Sequence, residues 1–209
     1  MITRVVLTAS LIAGMAQASP IVGLWDSART SAGGIGTTLE FRPDGAFIEA
    51  TTVIVNAYYR VVGDRLLIEA QPISDQPPAD AGVPIEIEDD LFRMTGPDGS
   101  VIEKRRLGVR DAGKPPIAGA WQYRHSTGVT AFERYTEDGL LQFRLPMTST
   151  RGRYVLNGAE LVMTRPNQPD MKMTLALAGD VLALSGNGRT SEYGRDAGGP
   201  WYDRESGGK

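Results

Sequence analysis

The sequence predicts an all-β protein built as two tandem antiparallel meander β-barrels that pack together. Three observations support this: short segments in which apolar and polar residues alternate, Asp-Gly and Asn-Gly pairs between those segments, and a series of landmarks that occurs twice. Alternation is typical of strands with one buried face, and the two dipeptides supply the positive φ angles that tight hairpin turns require. Strands spaced about 8–12 residues apart indicate a meander that closes into a barrel or sandwich.

Alternation of apolar and polar residues marks the predicted strands. In the first half it covers residues 38–42, 65–69, 84–88 and 101–105. No window after residue 18 shows the period of a long helix. Each half therefore has about six to eight candidate strands, which is enough for a small barrel. The turn dipeptides are Asp44-Gly45, Gly63-Asp64, Asp98-Gly99, Asp138-Gly139, Asn157-Gly158 and Asn187-Gly188.

The two halves share landmarks at a nearly constant offset. Residues 20–25 (PIVGLW) return as residues 116–121 (PIAGAW), a shift of 96 positions. Residues 41–45 (FRPDG) return as residues 135–139 (YTEDG), a shift of 94. A Tyr-containing strand, a pair of apolar strands and a Pro-rich loop also occur in both halves. Landmarks in one order at one offset indicate a tandem duplication.

Each half thus contains a Gly-x-Trp opening, an aromatic-x-x-Asp-Gly hairpin, a Tyr strand, a Gly turn and a following Leu strand. In this combination the chain resembles the bacterial lipocalin-like small β-barrel domains, over about residues 20–106 and 116–195. The resemblance implies a calycin-like barrel in each half, with a tryptophan closing one end. It transfers no catalytic residue to this chain.

The predicted domain boundaries follow the repeat. Residues 1–18 form a signal peptide, residues 19–112 the first barrel, residues 113–196 the second barrel and residues 197–209 a flexible C-terminal tail. The connection between the barrels is short, and a unit of about 90 residues has a small core. Both points favour two barrels in contact. The alternative is one larger barrel to which each half contributes part of the wall.

The N-terminal segment has the features of a secretory signal. Arg4 supplies positive charge, residues 5–15 are mostly apolar, and residues 16–18 (AQA) form a small-x-small cleavage motif. The apolar stretch is shorter than the roughly 20 residues that span a bilayer, so an interfacial anchor is the alternative. We expect cleavage by signal peptidase before Ser19 and a periplasmic or secreted protein without a membrane span.

The composition argues against several classes of function. The net charge of −3 offers no basic surface for nucleic acid. The lack of cysteine removes thiol nucleophiles, disulfides and Cys-ligated zinc, and the single histidine removes multi-His metal centres. The sequence has no EF-hand spacing, phosphate-binding glycine loop or Gly-x-Ser-x-Gly elbow. We therefore expect no cofactor, no nucleic-acid partner and no catalytic activity.

One polar site is predicted in the second half. Counting by two along its first strand places Tyr123 and His125 on the inward face. The phase of the next strand places Glu133 inward, where the first half has Leu39. Because a buried carboxylate is costly unless it is paired, His125 or Arg124 is the expected partner. His125, Glu133 and Tyr123 are thus the candidate ligand-binding residues. The alternative places the charged groups at a solvated rim.

Large aromatic residues suggest two further roles. Trp25 and Trp121 occupy equivalent positions, which favours core packing over stacking on a ligand. Trp201 and Tyr202 lie in the Gly-rich tail, where they are candidate partner-binding residues or dock on a barrel. Simple disorder of the tail is the alternative.

These observations lead to three hypotheses of function. The first is an exported, non-catalytic binding or interaction protein of the lipocalin-like type, which contacts a small apolar ligand or an envelope protein. The second is an inhibitor or regulatory subunit that presents the Pro-rich loop at residues 71–82 to a secreted or periplasmic enzyme. The third is an acid–base enzyme that uses Glu133 and His125.

Overall fold

The computed structural model describes residues 19–73, 78 and 81–196, and these residues confirm the all-β prediction. They form fourteen strands and no helix, so this part of the chain contains no helix long and apolar enough to cross a membrane. The strands are β1 (Gly23–Ser27), β2 (Ile35–Phe41), β3 (Ala46–Val62), β4 (Arg65–Glu69), β5 (Val83–Glu88), β6 (Leu91–Thr95), β7 (Val101–Leu107), β8 (Gly119–Arg124), β9 (Thr130–Tyr135), β10 (Leu140–Asn157), β11 (Glu160–Thr164), β12 (Met171–Ala178), β13 (Val181–Gly186) and β14 (Arg189–Asp196).

The strands follow one antiparallel meander that closes on itself. Each strand pairs with the next along the chain, and β1 pairs with β14. One more pairing joins β3 to β10, from Tyr58 opposite Leu140 to Ala46 opposite Arg153. This pairing divides the ring into two closed circuits of eight strands each. We call β1–β3 with β10–β14 the first circuit, and β3–β10 the second circuit.

Each circuit draws strands from both halves of the sequence. The 17-residue β3 and the 18-residue β10 pass through both circuits, because each pairs with different neighbours at its two ends. The prediction of one tandem barrel per half is therefore not confirmed. The short connection between the two predicted barrels, at residues 108–115, lies between β7 and β8, which pair directly with each other inside the second circuit.

The buried apolar side chains form two main clusters that follow the circuits. The first cluster combines Trp25 and Phe47 from the first half with Leu161 and Leu182 from the second. The second cluster contains Leu66, Phe92, Ile117, Trp121, Tyr135 and Leu141, which again come from both halves. Because each cluster needs side chains from both halves, neither half holds a complete core of its own. Burial of apolar surface is the main stabilising contribution to folding, so each half depends on the other for its stability.

Trp25 and Trp121 are fully buried, as predicted, and each is covered by an arginine. The Trp25 indole N–H donates to the carbonyl of residue 21, and the guanidinium of Arg195 lies 4.1 Å from its ring centroid. Trp121 makes the same bond to residue 117, with the guanidinium of Arg106 at 4.0 Å. Stacked cation–π contacts of this kind are stabilising. In both cases the arginine comes from the other half of the chain.

The outer faces of the two circuits meet through a partly polar contact. Leu24 and Phe132 form a small buried cluster there. Beside it, Arg144 donates to the Asp26 carboxylate over 2.6 Å, and its guanidinium also reaches the carbonyl of residue 55 and Asn56. A buried charge needs such partners, since desolvation would otherwise disfavour it. These bonds fix the position of one circuit against the other.

Gly152 of β10, which pairs with Phe47 of β3, lies in a tightly packed part of the first circuit. A Cβ built at this position would overlap the carbonyl oxygen of Thr164 and the ring of Phe47. We expect Gly152→Ala to lower the free energy of unfolding by about 1–3 kcal/mol, as overpacking does. Gly194→Ala is the matched control, because a Cβ there meets nothing within 4 Å. Urea titrations of both variants test this, and equal stability of the two would contradict it.

Candidate functional site

The interior of the first circuit becomes polar beyond Trp25. Residues that pair across neighbouring strands share one face, so the pairing of Trp25 with Leu39 and of Leu39 with Glu49 places all three inside. One step further along the strands, Thr37 pairs with Thr51 on the same face. The interior thus changes from an apolar core to hydroxyl-bearing side chains at one end of the circuit.

Two adjoining depressions open at this end, and we call them together the mouth; the larger is a cleft of about 570 Å³. The smaller depression, of about 250 Å³, shares Thr37 and Thr51 with it. Volumes of this order are typical of small-ligand sites. The polar side chains that line the two are Ser27, Arg29, Thr37, Glu49, Thr51, Thr148, Thr150, Arg165, Gln168, Thr190, Ser191, Glu192 and Tyr193.

Glu49 and Arg165 form an ion pair in the wall of the mouth. Both side chains are partly exposed, at 31% and 18%. The Nε atom of Arg165 is buried and has no hydrogen-bond partner among the described residues. Tyr193 lies nearby, and burial, followed by the charge of Glu49, raises the pKa of its phenol. Tyr193 is therefore a neutral hydroxyl group at ordinary pH, able to donate and accept hydrogen bonds.

The interior of the second circuit contains a buried ion pair next to Trp121, the residue equivalent to Trp25. Trp121 pairs with Glu133, as Trp25 pairs with Leu39 in the first circuit. The Glu133 carboxylate accepts from Lys104 Nζ at 2.5 Å and from the Tyr135 hydroxyl at 2.6 Å. Lys104 is 1% exposed and Glu133 is 6% exposed. The pair is thus enclosed within the circuit.

Aromatic rings complete this enclosure around Lys104. Its Nζ lies 4.6 Å from the ring centroid of Phe92 and 5.2 Å from that of Tyr123. Desolvation lowers the pKa of Lys104, and the Glu133 carboxylate opposes that shift. Desolvation and the charge of Glu133 raise the pKa of both Tyr123 and Tyr135. The Lys104–Glu133 pair therefore has one neutral phenol, that of Tyr135, as a hydrogen-bond donor to the carboxylate, and the Tyr123 ring beside the ammonium.

The structure brings two of the three predicted site residues together. Glu133 is buried, as the strand phase predicted, and Tyr123 lies near enough for the charge of its carboxylate to raise the pKa of the Tyr123 phenol. The predicted partner was wrong, because Lys104 rather than His125 or Arg124 pairs with it. His125 lies beyond the end of β8, where its Nδ1 contacts the Thr127 hydroxyl at 2.9 Å. Its ring is 6.4 Å from that of Tyr123.

The inward orientation of Lys104 could have been predicted from the alternation of residues along its strand. Residues 104–106 are a basic triplet, in which Lys104 and Arg106 share one face and Arg105 the other. The structure shows this division, with Lys104 and Arg106 buried and Arg105 exposed. The signal that was missed is that two inward cations need partners inside the second circuit.

The two circuits therefore carry different side chains at equivalent positions of their interiors. Ser27 and Leu39 in the first circuit correspond to Tyr123 and Glu133 in the second. In the second circuit Tyr123 and the Lys104–Glu133 pair occupy the interior at this level. In the first circuit Ser27 pairs with Tyr193 at this level, and both line the open mouth.

Several predictions concern residues that the structure does not describe. The signal peptide at residues 1–18 and the tail residues Trp201 and Tyr202 lie outside the described residues, and the Pro-rich loop at residues 71–82 lies partly outside them. Within residues 19–73, 78 and 81–196, no group of three or more histidine, aspartate or glutamate side chains could hold a metal ion.

Comparison of the chain with protein-family models, with curated proteins and with solved structures finds no match.

The buried phenols predict a loss of stability in alkali. Burial and the nearby acidic residues raise the pKa of Tyr59 from 10.0 to about 12. An unfolded tyrosine ionises near pH 10, whereas folded Tyr59 keeps its proton, so its contribution is complete below pH 10 and is lost as the pH rises towards 12. We expect urea titrations on either side of pH 10 to show this decline, and a smaller decline for Tyr59→Phe. An identical decline in the variant would contradict the assignment to Tyr59.

Proposed function

We propose that this chain is an exported, non-catalytic binding protein of the lipocalin-like type, which holds a small ligand in the mouth of the first circuit. In this proposal each circuit is a small barrel: the first carries the ligand, and the second is a filled support. Export follows from the signal-like segment at residues 1–18, which predicts processing before Ser19 and a periplasmic or secreted location.

The observation that carries this proposal is the contrast between the two interiors. At equivalent positions, one circuit has Ser27 beside a cleft of about 570 Å³, and the other has Tyr123 packed around a buried ion pair. A cavity of that size requires small side chains, and the second circuit demonstrates that larger ones fit the same framework. The polar lining favours a polar ligand over the apolar ligand expected from the sequence.

The first test fills the mouth. Ser27→Tyr copies the residue of the second circuit, and Thr174→Tyr on β12 is the control, since Thr174 is exposed and out of phase with inward Leu175. Protein purified from an exporting host is compared by native and denaturing mass spectrometry. We expect the native wild type and Thr174→Tyr to carry additional mass that Ser27→Tyr lacks. The denatured chain should have the mass of a polypeptide that begins at Ser19.

A wild-type protein without any additional mass would overturn the carrier proposal. The same would follow if Ser27→Tyr retained the additional mass, because the ligand would then lie elsewhere.

A further inference from the structure

We infer that the ligand of the mouth is a neutral polyhydroxylated compound, such as a polyol or a small saccharide. This inference rests on the proposed function, since it names the class of ligand for the same site. It is carried by the hydroxyl groups, the balance of charges and an unused donor in the lining.

Hydroxyl groups predominate in the lining of the mouth. Serine and threonine hydroxyls act both as donors and as acceptors, and so do the hydroxyls of a polyol. A ligand of that kind can satisfy this lining in many arrangements without leaving a polar group unpaired. Among the lining residues, the one large apolar side chain is Ile35. The hydroxyl-bearing residues are Ser27, Thr37, Thr51, Thr148, Thr150, Thr190, Ser191 and Tyr193.

The charges of the lining are balanced, which disfavours an ionic ligand. Arg29 and Arg165 are matched by Glu49 and Glu192. Arg165 is already neutralised by its ion pair with Glu49, so an anionic ligand would have to displace a carboxylate that is held in place. A cationic ligand would face the converse cost with respect to Glu49. A neutral ligand avoids both costs.

Arg165 supplies the directional element of the site. One of its terminal nitrogens bonds to Glu49, while its buried Nε has no partner among the described residues. The Arg165 side chain is 18% exposed, and its guanidinium has five N–H groups, more than its bonds to Glu49 and Gln168 use, so a ligand hydroxyl in the mouth could accept from one of the remaining terminal N–H groups. The Glu49 carboxylate has acceptor capacity beyond this bond, so it could receive the hydrogen of a second ligand hydroxyl. Vicinal hydroxyls on one ligand fit this donor and acceptor.

The experiment uses five probes and the full processed chain labelled with ¹⁵N. Glucose, myo-inositol and maltose represent the proposed class, citrate represents anions, and N-phenyl-1-naphthylamine represents neutral apolar ligands. Backbone amide shifts of Thr37, Thr51 and Ser191 report on the mouth. We expect saturable shifts there with at least one of the three neutral polyhydroxylated probes, and none with citrate or the apolar dye.

Two substitutions locate the binding. Arg165→Met removes the free donor and should weaken the affinity for the responding probe about tenfold, as loss of a charged hydrogen bond does. Lys172→Met on the exposed face of β12 is the matched control and should leave the affinity unchanged. Thr51→Val, with Thr174→Val as its control, should weaken binding about threefold or more, since one neutral hydrogen bond is lost.

The outcomes separate the inference from the proposed function. Saturation of the mouth by citrate or by the dye, with no response to the three polyhydroxylated probes, would overturn the ligand class and leave the binding function intact. No response to any probe would also overturn the ligand class, and the mass comparison of wild type with Ser27→Tyr then decides whether the function itself stands. Equal affinity of Arg165→Met and Lys172→Met would remove the role assigned to Arg165.

Discussion

Either half of the chain, produced without the other, is expected to remain unfolded as a monomer. In residues 19–112 the strands β1–β3 lack β10–β14, and in residues 113–196 the strands β8–β10 lack β3–β7. Each fragment would also expose its share of both apolar clusters. Domains of this size have a small free energy of unfolding even when their core is complete.

Mixing the two fragments is expected to restore the fold as a one-to-one complex. Circular dichroism, size-exclusion chromatography and amide NMR spectra of each fragment and of the mixture measure this. The intact chain cleaved by an inserted protease site within residues 109–113 is the control, because this cut removes no strand from either circuit. The cleaved chain should elute as one species with the spectrum of the uncleaved protein.

A cooperative unfolding transition in monomeric residues 19–112 alone would contradict the exchange of strands between the halves. It would instead support one barrel per half, as the sequence predicted.

The sequence predicted local structure well because local structure depends on neighbouring residues. The alternating segments at residues 65–69, 84–88 and 101–105 lie within β4, β5 and β7. Gly45 and Gly139 of the Asp-Gly turns have positive φ, as expected for tight turns. These features depend on the pleat and on turn geometry, which are set within a few residues.

The pairing of the halves could not be predicted in the same way. When two halves carry similar strands, each strand has two similar candidate partners, and local patterns do not distinguish between them. The hydroxyl of Tyr59, for example, donates to the carbonyl of Thr136, and Tyr154 donates to the carbonyl of Arg42. Each tyrosine therefore holds the Asp-Gly turn of the other half. The pairings of β3 with β10 and of β1 with β14, which join the two halves, decide between the two possibilities.

In the candidate site too, local sequence predicted the orientation of a side chain but not its distant partner. The inward direction of Glu133 followed from its strand phase. Its partner Lys104 lies on β7, which is separated from β9 by β8, so the two meet across the interior and not through neighbouring positions. The mouth was missed because its size depends on which equivalent residues are small in one circuit and large in the other.

The Lys104–Glu133 pair gives the second large expected effect. Lys104→Met leaves a buried carboxylate without its cation, and Glu133→Leu leaves a buried ammonium without its anion. Each substitution is expected to lower the free energy of unfolding by about 3–5 kcal/mol. The double variant replaces both charges with apolar side chains of similar volume, and its stability should lie close to that of the wild type or above it.

Urea unfolding of the wild type, the two single variants and the double variant gives the coupling energy between the residues. Arg93→Met with Glu103→Leu is the matched control, because that pair joins β6 and β7 at the surface and an exposed pair contributes about 1 kcal/mol or less. Equal coupling energies for the buried and the exposed pair would contradict the account of the second circuit as a filled support.

The pH dependence of a third variant separates loss of charge from loss of packing. Glu133→Gln keeps the shape of the side chain but removes the charge that opposes the desolvation of Lys104, so the pKa of the folded lysine should fall further below its ordinary value of 10.5. The unfolded chain then binds more protons than the folded chain between these two pKa values, and stability rises with pH throughout that window. We therefore expect Glu133→Gln to gain stability relative to the wild type as the pH increases from 7 towards 10. If the difference between them were constant with pH, Lys104 would not carry the unpaired charge, and the destabilisation would be one of packing.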